Sequence, residues 1–240
     1  MALRGFRRIL PVTETDSQKR IELGLSNAEF SPISRQPLNW LPAIELFGEG
    51  IFIELNNNAV LQWEEENIAR YQELSKRHSK NYSWVGNGMY DIKHPRYVLL
   101  HTLAHLLIRQ LSAQCGYSIA SLKEKIYSSF PEQDMEMCGI LIYTSATDTD
   151  GSLGGLVRAG AKENIFDTIK SMLEESSWCS NDPLCIESHS QGYHGLNYSA
   201  CHACTLLPET CCESLNCLLD RAAIVGTPDN PDIGFFKKFL

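Results

Sequence analysis

A chain of 240 residues, 43% of them hydrophobic, is long enough to bury a real core in one or two domains, which excludes a disordered tail and a disulfide-stapled miniprotein. Its 29 acidic side chains outnumber 21 basic ones for a net charge of -8, so the whole-molecule positive field of an autonomous nucleic-acid binder is missing. The imbalance is regional: from Ser145 onward thirteen acidic side chains face six basic ones, while the remainder is nearly balanced at sixteen and fifteen.

The opening residues, Met1 to Arg8, lack the apolar run and small-residue cleavage site of a signal peptide, so the chain reads as cytoplasmic. Arg4, Arg7 and Arg8 cluster there; any DNA contact is expected from them, although a solvated strand edge is the plainer reading of so short a basic run. A strand-like start leads into a proline-marked linker around 31–42. Residues 43–55 then alternate apolar and acidic side chains about a glycine-containing turn, which predicts a β-hairpin or bulged strand pair. Over 60–78, Leu61, Ile68, Tyr71 and Leu74 recur at helical spacing among charged residues, the pattern of a surface helix.

A second helix is predicted from Pro95, where proline costs least, to Gly116 as a left-handed cap; apolar residues cover most of its circumference, so it should be the central buried helix. Its apolar stretch, 97–111, is broken by His101, Thr102, His105, Arg109 and Gln110 and is too short to cross a bilayer. Ser121 and Glu124 fit a capping box, predicting another helix from Ser118 or Ser121 through Ser128. Cys138 to Tyr143 is an apolar run suited to the middle of a sheet. A turn over 144–150 precedes a helical stretch through Arg158. Another follows over 161–175, with Ile165, Phe166, Ile169, Met172 and Leu173 on one face.

Seven of the nine cysteines fall between Cys179 and Cys217, and in a reducing compartment such crowding points to metal rather than disulfides. Cys201-His202-Ala203-Cys204 is the strongest signal, because a tight turn lets both sulfurs reach one zinc ion at about 2.3 Å. Cys185 and Cys212 are the expected further ligands, with Cys179 as the substitute for Cys185. The surrounding segment is rich in Gly, Ser and Asn, so Zn2+ would supply much of its folding free energy. The same Cys-x-x-Cys could be a thiol-redox centre with His202 lowering a thiolate pKa, but no strand pattern precedes it as that motif requires.

His101 and His105 lie four apart on one helical face, as two metal ligands would. A zinc peptidase needs Glu after the first histidine, and Thr102 stands there. With Arg109 and Ser112 the histidines form a polar stripe, expected to be a hydrogen-bonded core stripe or a partner-facing seam. Asp148-Thr149-Asp150-Gly151 lacks the later acidic ligands of a calcium loop, and Gly151 to Gly155 lacks the Gly-Lys-Ser/Thr ending that cradles phosphate.

The series His101-Thr102-Leu103-Ala104-His105, Gly139 to Tyr143, Gly151 to Leu156, Asp182-Pro183-Leu184-Cys185, Cys201 to Cys204, Pro208-Glu209-Thr210, Cys212, Asn216 and Leu219-Asp220-Arg221 resembles a known family. It is the cysteine-rich zinc-binding domain that closes MrfA-type DNA-repair helicases and forms the C-terminal part of DrmB-type subunits of the DISARM phage-defence system. The resemblance covers about the last 150 residues. Before it, 2–8 and 41–51 look more DrmB-like than helicase-like, and DrmB-like proteins extend further on the N-terminal side, so this chain is a short relative or a fragment.

What the resemblance implies is a non-catalytic zinc-binding accessory subunit that supports DNA engagement by a separate, DrmA-like helicase partner, with no membrane involved. A thiol-redox enzyme using Cys201 and Cys204, or a stand-alone DNA-binding module, are the alternatives. The expected fold is α+β: a β-rich region with one surface helix over 1–90, then a helical domain over 91–240 with a short sheet and the Cys-rich zinc loop.

Overall fold

A computed structural model describes residues 2–3, 5–6, 31–34, 36, 38–45, 47–80, 95–129, 136–144 and 154–240. Arg4, Arg7 and Arg8, the calcium-loop-like 148–151 and, of the turn expected over 144–150, all but Thr144 lie outside the described residues; Thr144 ends a strand. The architecture is α+β. A two-residue pairing joins β1 (Gly5–Phe6) to β2 (Ser31–Pro32), and an antiparallel sheet has the order β3 (Gly50–Glu54), β5 (Cys138–Thr144), β4 (Leu122–Ser128). Helices α1 (Asn57–Lys80), α2 (Arg96–Cys115), α3 (Gly155–Ala159), α4 (Ile165–Ser176) and α5 (Ala222–Val225) complete the described elements that position the site.

α2 is the axis of the molecule. It packs on β4 and β5 and, across its other faces, on α3, α4 and α5. Leu99, Leu100, Leu103, Leu107 and Ile108 are fully buried among its neighbours, and each such side chain contributes about 1.5–3 kcal/mol on removal from water. The helix starts after Pro95 and ends at Gly116, whose φ of 78° lets its N–H reach the Ser112 carbonyl. An L side chain would strain that position.

Two elements differ from expectation. The strand pair predicted over 43–55 is a single strand, β3, whose partner is the distant β5: Ile51 pairs with Ile142 and Ile53 with Ile140. Ala43 instead bridges Ala2, and Glu49 turns inward to serve other partners. The helix predicted through Ser128 is a 3-10 turn, Ile119–Ser121, followed by strand β4. The capping box is not made, because the Ser121 hydroxyl donates to the Ser118 carbonyl and the Glu124 N–H donates to the Cys211 carbonyl. Burial alternates along β4, with Leu122, Glu124 and Ile126 inward, and that two-residue period prevails over the local signal.

β3 and α1 precede the boundary expected near residue 90, and both share the core with the elements after it. Within α1, Tyr71 and Leu74 are buried and Ile68 is exposed. Its first turn is capped by the Asn56 side chain, which accepts the Ala59 N–H at 3.1 Å. Between α1 and α2 lies a buried ion pair, Arg96 Nη2 to Glu64 Oε2 at 2.6 Å. In α4, Met172 and Leu173 are buried while Phe166 faces solvent. No helix among the described residues is long and apolar enough to cross a membrane.

Candidate metal centre

The polar stripe of α2 faces inward onto the Cys-rich loops. His105 meets the Thr205 carbonyl at 3.0 Å through Nδ1, and Arg109 donates to the Ala203 carbonyl at 2.9 Å. The stripe is thus a hydrogen-bonded seam between the central helix and the cysteine segment.

Two loops gather the sulfurs. The first follows α4 and winds through turns in which the Asp182 N–H donates to the Cys179 carbonyl and the Cys185 N–H to the Asn181 carbonyl, both at 2.9 Å. The Asp182 carboxylate anchors this loop, accepting from the N–H groups of Cys179 (2.7 Å) and Ile186 (3.0 Å) and from the guanidinium of buried Arg221 at 2.6 Å. Arg221 also donates to the Ser176 carbonyl at the end of α4. The second loop is a knuckle in which the N–H groups of Cys204, Thr205 and Leu206 converge on the Cys201 carbonyl at 3.2, 2.9 and 3.1 Å.

Cys179 Sγ lies 3.5 Å from Cys201 Sγ, and Cys204 Sγ lies 3.7 Å from both Cys185 Sγ and Cys201 Sγ. All four sulfurs fall within 4.8 Å of one another. A tetrahedral ion bound at about 2.3 Å spaces its sulfur ligands about 3.8 Å apart, whereas a disulfide needs about 2.05 Å. The donor set therefore fits Zn2+, and every one of these cysteines is free of disulfides. Cys179 and Cys185 are buried, Cys201 and Cys204 partly so, and four ligands leave no open position. A bound ion would supply a crosslink between two loops rather than a reacting group.

Hydrogen-bond donors reach two of the sulfurs from Asn181. The Asn181 N–H donates to Cys179 Sγ at 3.4 Å and the Asn181 side-chain amide to Cys201 Sγ at 3.3 Å. A hydrogen bond from Cys185, then the Thr205 hydroxyl and the Arg221 charge, pull the Cys204 thiol below its ordinary value against its burial, and the Cys185 thiol is correspondingly held high. Zn2+ would displace the protons of the whole set.

Of the residues named from sequence, Cys185, Cys201 and Cys204 come together. Cys179 stands beside Cys185 rather than replacing it. Cys212 is elsewhere: its sulfur is 3.1 Å from His101 Nε2, in a buried group with His105 and Glu124. The chain between Cys204 and Cys212 crosses α2 and the edge of β4, where the Cys211 carbonyl accepts the Glu124 N–H. Of the adjacent pair, Cys211 donates to the Ile119 carbonyl at 3.1 Å and joins the core. Sequence reasoning also missed Arg221 and Asp182 as supports. The paired spacings Cys179 to Cys185 and Cys201 to Cys204 were the available signal for the fourth sulfur.

The class of the domain follows from this arrangement and from comparison with known families: residues 103–205, which hold all four cysteines, match the MrfA Zn-binding domain. Over those residues the chain is similar to a zinc-binding domain of that type. Among curated proteins it is 44% identical over 205 residues to the DISARM protein DrmB of Bacillus paralicheniformis, an alignment covering 84% of this chain and 36% of the relative. The chain thus spans little more than a third of the length of the curated protein it matches.

Proposed function

We propose that the chain is a zinc-binding, non-catalytic accessory component of a DISARM-like phage-defence assembly in the bacterial cytoplasm, supporting DNA engagement by a separate helicase subunit. The observation that carries this reading is the 44% identity to DrmB across most of the chain. Zn2+ is assigned to Cys179, Cys185, Cys201 and Cys204, on their mutual distances. Motor activity is assigned to a partner because the glycine-rich stretch at Gly151 to Gly155 has no Gly-Lys-Ser/Thr continuation.

The charge distribution divides the labour. The zinc loop sits in the acidic part of the sequence, and four thiolates on one divalent ion add a formal charge of about -2, so a phosphate backbone is disfavoured there. DNA contact is assigned to basic residues upstream, Arg4, Arg7 and Arg8 first, and the loop to supporting the domain and a protein interface. Of the loop's acids, Asp182 is engaged by Arg221, and Glu213 is engaged by Lys125 at 2.6 Å and by the Ile126 N–H at 3.1 Å.

The test is a co-purification of the chain with the helicase encoded beside it, followed by DNA binding at several salt concentrations and phage plating on cells carrying both genes. Changing Arg4, Arg7 and Arg8 to Ala should weaken the complex's DNA binding and lower its salt slope by up to about one per lost phosphate contact. Cys201→Ser should abolish protection. A chain that ignores the helicase and reduces disulfides catalytically would overturn the reading.

A further inference from the structure

His101 and His105 on α2, Glu124 on β4 and Cys212 in the loop that covers them converge on one point with their side chains withdrawn from solvent. The distances lie near those of a ligand shell, one within its range and two a few tenths of an ångström shorter. His101 Nε2 lies 3.0 Å from Glu124 Oε1 and 3.1 Å from Cys212 Sγ, and His105 Nε2 lies 3.5 Å from Glu124 Oε1. Bonds of about 2.0–2.3 Å from one zinc ion to N, O and S place tetrahedral ligands about 3.3–3.6 Å apart.

As a hydrogen-bond network the group does not close. The Thr205 carbonyl can only accept, so His105 Nδ1 carries the proton of that 3.0 Å bond. In the neutral ring Nε2 is then a bare lone pair aimed at a carboxylate oxygen, and it has no hydrogen-bond partner. Glu124 Oε1 already accepts the Glu213 N–H at 3.1 Å, while Glu124 Oε2 is buried with no partner at all. His101 Nε2 faces both an oxygen and a sulfur, and one N–H cannot serve the two. Each unmatched buried polar atom keeps the full penalty of having left water. A cation at the centre would take the His105 Nε2 lone pair and settle the competition among His101 Nε2, Glu124 Oε1 and Cys212 Sγ, while His101 Nδ1 and Glu124 Oε2 keep no partner.

The supports around the group are those of a metal site. Histidine ligands characteristically donate their second ring N–H to a backbone carbonyl, as His105 does to Thr205. Cys212 Sγ accepts the N–H groups of Ser214 at 3.3 Å and Asn216 at 3.2 Å, the same device that Asn181 supplies to Cys179 in the four-cysteine centre. Two neutral imidazoles, one carboxylate and one thiolate carry the charge that balances a divalent ion, so a dry interior would hold no net charge.

We propose that His101, His105, Glu124 and Cys212 form a second, structural zinc site, distinct from the four-cysteine centre, which clamps the loop after Cys204 onto α2 and β4. The shell is closed and out of solvent, so it has no position for a substrate. A mixed nitrogen, oxygen and sulfur donor set of this geometry suits zinc rather than magnesium or calcium.

The experiment uses the full chain purified without added metal. Elemental analysis should find two zinc ions per chain. X-ray absorption at the zinc edge should then report five sulfur and three nitrogen or oxygen ligands shared over two ions, as the two donor sets require. One zinc per chain with an all-sulfur shell overturns the proposal, and this readout needs no variant. In Cys212→Ser and Glu124→Gln the expected zinc content falls from two to one and the remaining shell becomes all sulfur. A second zinc that persists unchanged in both variants overturns it equally.

Discussion

The four-cysteine centre and the histidine–glutamate–cysteine cluster are neighbours joined through Cys204 and Thr205, yet they are held in opposite ways. Cys179, Cys185, Cys201 and Cys204 sit on two loops made of successive turns, at the surface end of α4. Three of the other four residues sit on α2 and β4, elements that bury apolar side chains whether or not a metal is present. Metal at the first centre should therefore create local order, whereas metal at the second should fasten a loop to order already there.

The largest effect is expected from breaking the first side of this comparison. Chelation of zinc, or Cys201→Ser, removes binding free energy that reaches about 10 kcal/mol or more in small zinc domains. Amide exchange should accelerate throughout 177–206, while α2, β4 and β5 keep slow exchange. Uniform loss of protection over the whole chain would show that the loops and the core are one cooperative unit.

A smaller and differently placed effect is expected at the other end of α2. The Arg96 guanidinium, with no exposed surface, meets Glu64 through Nε at 3.0 Å and Nη2 at 2.6 Å, and Arg96 Nη1 donates to the Ser129 carbonyl at 2.6 Å. Glu64→Ala strands that charge and should cost about 3–5 kcal/mol, read as a lower urea midpoint. Zinc content should stay at the wild-type value. Loss of zinc along with stability would mean that the centres depend on the core as much as the core ignores them.

How far this contrast was legible in the sequence depended on which signals were local. α2 was readable from Pro95 to Gly116 because an apolar helix ending at a left-handed glycine needs nothing outside itself. β5 was readable as a short apolar run, and the closeness of the Cys201 and Cys204 sulfurs from their two-residue spacing. β4 was not, since the local Ser-x-x-Glu pattern promises a helix and only pairing with β5 over Leu122 to Ser128 makes the segment a strand. That single misreading also concealed Glu124, which looked like a capping residue and is a buried carboxylate facing two histidines. Cys212 was assigned by proximity in sequence, but the course of the loop over α2 separates it from Cys204, and no spacing rule carries that information.

The smallest effect is expected at a junction where a carboxylate and hydrogen bonds act with no metal ligand among them. Glu49, just before β3, accepts the hydroxyl of Tyr117 and, through Oε2, the N–H groups of Gly154 at 2.8 Å and Val157 at 3.2 Å. Gly154 and the first turn of α3 thus turn their N–H groups to the protein's own carboxylate. Gly154 adopts φ 124°, open to glycine, and Gly155 lies against the Tyr117 ring. Burial raises the Glu49 carboxyl, but the Tyr117 hydroxyl and the N–H groups of Val157, Leu156 and Gly154 outweigh it and hold the group below its ordinary 4.5. A carboxylate lowered on folding adds stability that is fully present above its unfolded pKa and is lost as pH falls through the folded value. Glu49→Gln keeps the shape and removes the charge, and because its amide oxygen still accepts, at pH 7 it should cost about 1 kcal/mol, less than the roughly 1.5–3 kcal/mol of a bond to a charged group. Urea midpoints of the two proteins should differ by the same amount at pH 7 and pH 6, and the gap should begin to close below about pH 4.5 as the wild-type carboxyl protonates. A gap that stays constant down to pH 3 would mean that the shape of residue 49, and not its charge, joins β3 to α3.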